Sequence, residues 1–140
     1  MRFWDSSALV ALLAAEASTV ALQRLYASES ALVWWGSLVE CASAVTRLER
    51  EGGFGAGEAN RAFARLDAAR VGWIEIEPGD EVREVARRML RVHPLRAGDG
   101  LQLAAAFLGA ERRPATLPFV TLDLRLRAAA AREGFPIVEP

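Results

Sequence analysis

The sequence contains no lysine; all 17 of its basic residues are arginine. That excludes Schiff-base chemistry on a lysine amine and the lysine-dependent phosphate loop. The glycine-rich run Gly52–Gly57 is therefore a flexible turn and not a phosphate cradle. A single cysteine, Cys41, excludes an internal disulfide and fits a reducing cytosol. It falls on an apolar helix face, where a small buried side chain is expected. The one histidine, His93, precedes Pro94 in a loop, so a solvated or packed ring is expected there and not a general base. No uninterrupted apolar segment reaches the length of a membrane span, and the first residues lack the layout of a secretion signal. The expected location is the cytoplasm, with no membrane partner. A basic excess is also missing. Net charge is −1, so any contact with nucleic acid must come from a local patch.

What is present is a globular composition, 52% hydrophobic and 25% charged, in 140 residues. That length favours one domain, residues 1–140, with a core that needs no disulfide. Short apolar runs at residues 1–4, 31–35, 73–76, 119–122 and 135–138 read as strands. Between them lie helical patterns. Ser6 and Ser18-Thr19 each start a helix, and Leu38, Cys41, Val45 and Leu48 mark one face over 37–50. A further helix spans about 58–69. Val82, Val85, Ala86, Met89 and Leu90 form the apolar stripe of the next, which Asp80 is expected to cap. The helix after Asp99 is apolar almost all round, with Gln102 the main exception, so it is expected to be buried on most sides. Strands alternating with helices predict an α/β fold, a three-layer α/β/α sandwich on a short, mostly parallel sheet. Pro136 places the last strand at an edge.

Four acids occupy comparable joints. Asp5 ends the first apolar run and Asp123 the fourth; Asp99 stands where a loop becomes a helix; Glu40 opens another helix. Beyond the carboxyl ends of parallel strands, such residues can share one crevice. Two carboxylates about 4 Å apart repel by roughly 4 kcal/mol at an effective dielectric of 20. Helix N-termini return only about 0.3–1 kcal/mol each. A divalent cation supplies the remainder, and an all-oxygen donor set suits Mg²⁺ or Mn²⁺. Each acid taken singly also fits a helix cap, and Ser37-Leu38-Val39-Glu40 reads as a capping box. The joint pattern points to a metal site.

The motifs Phe3-Trp4-Asp5-Ser6-Ser7-Ala8-Leu9, Ser37-Leu38-Val39-Glu40-Cys41-Ala42, Leu95-Arg96-Ala97-Gly98-Asp99-Gly100-Leu101-Gln102 and Phe119-Val120-Thr121-Leu122-Asp123 follow one another in order over essentially the whole chain. In these the chain resembles the PIN-domain ribonucleases, and within them the VapC-type toxins of toxin–antitoxin (VapBC) pairs. The resemblance implies a metal-dependent endoribonuclease. Its acidic quartet maps onto Asp5, Glu40, Asp99 and Asp123 as catalytic and metal-binding residues, with Mg²⁺ or Mn²⁺ as cofactor. It also implies an RNA substrate, a cognate antitoxin protein as partner and a homodimer. The apolar helical hairpin at 37–69 offers surface for that dimer. Gly100 departs from the family pattern, which more often has alanine there.

Ser6 and Thr121 are candidate hydroxyls behind the ligands, and Arg96, three residues before Asp99, is the first candidate to hold RNA phosphate. Arg125 and Arg127 follow Asp123 and read equally well as the wet side of their helix. Trp34-Trp35 could stack bases, although strand alternation sends one of them to the core. Phospho-receivers and haloacid-dehalogenase-like phosphatases also carry an aspartate after the first strand, but need a lysine that this chain lacks. A housekeeping RNA-processing nuclease of the same fold, and a non-catalytic binding module, remain as alternatives.

Overall fold

A computed structural model describes residues 1–14 and 19–139. The chain runs β1 (Arg2–Trp4), α1 (Ser6–Leu13), α2 (Thr19–Ser28), β2 (Ala31–Trp34), α3 (Ser37–Arg50), α4 (Ala56–Arg70), β3 (Ile74–Ile76), α5 (Asp80–Val92), α6 (Ala97–Gly109), a 3₁₀ turn (Pro114–Thr116), β4 (Phe119–Val120), α7 (Leu124–Glu133) and β5 (Ile137–Val138). The cap expected at Ser18 lies outside the described residues.

The five strands form one sheet in the order β3-β2-β1-β4-β5, and every neighbouring pair is parallel. Strand alternation divides the core into two layers. Phe3, Leu32, Trp34 and Phe119 face α5, α6 and α7, while Trp4, Ala31, Val33 and Val120 face α1 to α4. Both faces are covered, which is why the strands read as unbroken apolar runs. The structure thus has the expected three layers. β5 is an edge strand, shortened to Ile137–Val138 because Pro136 lacks a ladder donor.

The topology decides where a site can form. From β1 the chain adds β2 and then β3 on one side. It returns through α5 and α6 to add β4 and β5 on the other. The order reverses between β1 and β4, and ligands bind beyond the strand ends at such a switch point. Asp5 directly follows β1; Thr121 directly follows β4.

Some local expectations need correction. The capping box at 37–40 does not form: Gly36 is the cap, and Ser37 is the first helical residue and fully buried. Asp80 is likewise inside its helix, with Gly79 as cap. Helix α4 begins at Ala56, within the glycine run, because Gly55 takes the cap position. Gly100 is a packing position. A Cβ there would stand 2.9 Å from Leu90, so its absence lets α5 close on α6. His93 is packed: its buried ring places Nε2 2.7 Å from Glu133, which Arg88 also holds through both carboxylate oxygens at 3.1 Å. Trp34 is buried and Trp35 exposed, as alternation requires.

Candidate metal centre

Asp5, Glu40, Asp99 and Asp123 line one cavity of about 630 Å³, together with Ser6, Ser7 and Arg47. The four acids come from the N-terminal ends of α1, α3, α6 and α7. Each of those ends carries partial positive charge toward the cavity. Among the described residues, no three Asp, Glu, His or Cys side chains form a ready-made ligand cluster. The acids share a cavity without packing on one another, as the repulsion of like charges favours.

Two of the acids are caps as well. Asp5 Oδ1 accepts from Ala8 N at 3.2 Å and from Ser7 Oγ at 2.8 Å. Asp123 Oδ1 accepts from Leu126 N at 2.8 Å. In both cases one carboxylate oxygen anchors the helix, and Asp5 is further held by the Ser7 backbone and the Thr121 hydroxyl. Asp99 differs from the expectation. It is the third residue of α6, whose N-cap is Arg96, and its carboxylate reaches back to accept from the Arg96 backbone N–H. Its carboxylate therefore supports the first turn of α6 as well as facing the cavity.

Glu40 is held from two sides. Ser6 Oγ donates to its Oε2 at 2.7 Å, and Gln102 Nε2 donates to the same atom at 3.1 Å. Gln102 is fully buried and also donates to Ser37 Oγ at 3.0 Å. Its own Oε1 is buried without a partner among the described residues, so the amide is tolerated for what its nitrogen does. Around the switch point, Ser7 knits two joints together. Besides Asp5 it meets Thr121 Oγ1 at 3.3 Å and accepts from Leu122 N at 2.9 Å. Thr121 Oγ1 in turn accepts from Asp123 N at 3.0 Å. The hydroxyls expected at Ser6 and Thr121 thus stand beside the acids.

Electrostatics report the same convergence. Burial raises the Asp5 carboxyl from 3.8 to about 6, against the hydrogen bonds from Ser7, Ala8 and Thr121. Asp99 is raised first by burial and then by the charges of Asp123 and Glu40, while the Arg96 backbone and charge pull the other way. Burial, reinforced by Glu40 and Asp5, pushes the Cys41 thiol up to about 12, which leaves it inert as a nucleophile. The donor set is all oxygen, with carboxylates from four helices, and that composition fits a hard divalent cation.

Sequence reasoning missed Ser7, Gln102 and Arg47. Gln102 was visible as the one polar side chain on an apolar helix. Arg47 lies seven residues after Glu40 and so on the same helical face. Arg127, named beside Arg125 as a phosphate candidate, is paired with Glu139 instead.

No protein-family model matches this chain, and no curated protein does. Solved structures do. A toxin–antitoxin complex from Klebsiella pneumoniae matches with a TM-score of 0.66 over 100% of this chain and 98% of the other, at 17% identity. The crystal structure of PAE2754 from Pyrobaculum aerophilum matches with a TM-score of 0.61 over 91% of this chain and 83% of the other, at 24% identity. At these identities the likeness shows the fold alone. Among the described residues no helix is long and apolar enough to cross a membrane.

Proposed function

We propose that this protein is a metal-dependent endoribonuclease of the PIN type, the toxin of a toxin–antitoxin pair. The observation that carries this reading is the shared cavity. Four carboxylates far apart in sequence open onto it from four helix N-termini, at the point where strand order reverses. The Klebsiella pneumoniae neighbour, a toxin–antitoxin complex, supports the toxin role over housekeeping RNA processing.

Asp5 and Asp99 would be the central ligands of Mg²⁺ or Mn²⁺, with Glu40 and Asp123 as further ligands or as acceptors for its bound water. Such an ion supplies Lewis acidity, a water of lowered pKa and charge for the leaving oxygen. The chain's own residues do the positioning. Ser6 and Gln102 hold Oε2 of Glu40 and leave Oε1 toward Gly98 on α6. Ser7 fixes one oxygen of Asp5 and, through Leu122 N, ties it to the segment carrying Asp123. Arg96, beside Asp99, draws a phosphate toward an otherwise acidic wall. A cognate antitoxin would silence the enzyme by covering this cavity, and a second copy would pair through the α3–α4 face.

The test is to sequence RNA 5′ ends after brief expression of the wild type and of Asp99→Asn. Discrete new ends are expected with the wild type and none with the variant, while the variant keeps its circular dichroism spectrum. New ends of equal abundance from Asp99→Asn would overturn the reading. So would a purified wild type that cuts no RNA with Mn²⁺.

A further inference from the structure

We propose that Arg47, Arg96 and Arg125 form a second site, one that binds a phosphodiester flanking the bond to be cut. The protein would then require a strand of several nucleotides and would discriminate against mononucleotides. The inference rests on the nuclease reading above and extends it to the form of the substrate.

A second cavity, of about 790 Å³, opens beside the acidic one. The two share three lining residues, Arg47, Asp99 and Asp123, so they form a continuous surface. Its walls differ in sign. The first cavity has four carboxylates and one arginine, whereas the second has two carboxylates and three arginines. Those arginines come from separate places: Arg47 from the last turn of α3, Arg96 from the cap of α6 and Arg125 from the first turn of α7.

All three are exposed, and none makes an ion pair within the described residues. Other exposed arginines without an ion pair among the described residues, such as Arg50, Arg91 and Arg132, lie outside both cavities, and several more are tied to acids. Arg87 is paired with Glu84, Arg112 with Glu81 and Arg83 with Asp80. Cations left unpaired beside carboxylates are available to an anionic ligand, and the guanidinium fork matches phosphate oxygens. Leu122 and Leu124, both exposed, lie on the same cavity wall and give it an apolar strip suited to a ribose or base. A chain of net charge −1 has no general attraction for RNA, so binding must be local, and this is where free positive charge meets the acids.

The test measures binding without cleavage. Anisotropy of a fluorescently labelled oligouridylate in EDTA is followed against salt for three proteins. These are the wild type, Arg47→Gln/Arg125→Gln and Arg83→Gln, whose arginine lies outside both cavities. The double variant should bind several-fold more weakly. Its slope of log K against log salt should fall by about 1.4, or about 0.7 per phosphate contact on a single strand. Arg83→Gln should bind as the wild type does, and uridine monophosphate should compete poorly. Unchanged affinity and slope in the double variant would overturn the inference, as would an equal loss of binding to a polyglutamate peptide of matched charge. Failure here is separable from failure of the nuclease reading. If Asp99→Asn abolishes cleavage while the double variant binds normally, only the second site is wrong. If the double variant loses binding and no RNA is ever cut, only the chemistry is wrong.

Discussion

At Asp5, burial and function pull against each other. Its carboxyl is 2% exposed and its pKa is raised from 3.8 to about 6. Ionised Asp5 therefore disfavours the metal-free native state, by roughly 3 kcal/mol at full ionisation. A raised carboxyl pKa means that the native chain holds the proton more tightly than the unfolded one. Its stabilising contribution is complete below 3.8 and is lost as pH rises through about 6. Asp5→Asn keeps the hydrogen-bonding oxygen and removes the charge. In chemical denaturation of metal-free protein, its stability relative to the wild type should rise across that window. A gap that stays flat or narrows would show that burial does not set this carboxyl. Gln102 acts one step back. Gln102→Ala leaves Glu40 with Ser6 alone and should lower metal affinity or cleavage about 10- to 100-fold, measured by metal titration and RNA cleavage. Asp5, Glu40, Asp99 and Asp123 were legible because each stands at a strand or helix boundary. Ser7 was not, since a serine after a strand looks like any helix start until Thr121 and Leu122 are brought beside it.

Among the elements, α6 carries the site and the packing together. Its first turn presents Asp99, its middle buries Gln102 and a run of alanines, and its far end lies on the sheet at Gly109. A Cβ at Gly109 would meet Leu32 Cδ2 at 2.5 Å and Ile76 Cδ1 at 3.4 Å. Gly109→Val should therefore cost about 1–3 kcal/mol by overpacking, read as a lowered denaturation midpoint. Gly100→Ala should cost less, because Leu90 is exposed and can swing aside. Helix α7 ends as its sequence suggests. Gly134 adopts φ 97°, and its N–H and that of Phe135 close on Ala131 and Ala130. Helix bodies were legible from periodicity, and their starts less so. Ser37 and Asp80 are good caps by type, yet Gly36 and Gly79 hold those positions. Ser37 instead spends its hydroxyl on Gln102, a contact 65 residues away that no local pattern encodes.

For the whole molecule, alternating elements announced the parallel sheet and its two helical layers. The strand order was not written locally. It follows from α1 to α4 packing on one face and α5 to α7 on the other, which turns the chain back at β1. That reversal is what gathers Asp5 and Asp123 from opposite ends of the sequence. The gathered charge is also the account's central claim, that these carboxylates form one divalent-cation site. Calorimetric titration of purified protein with Mn²⁺ tests it most directly. Saturable binding by the wild type is predicted, weakened at least about tenfold in Asp99→Asn, whose amide oxygen can still accept the Arg96 backbone hydrogen bond. No binding by the wild type, or equal binding by the variant, would contradict it.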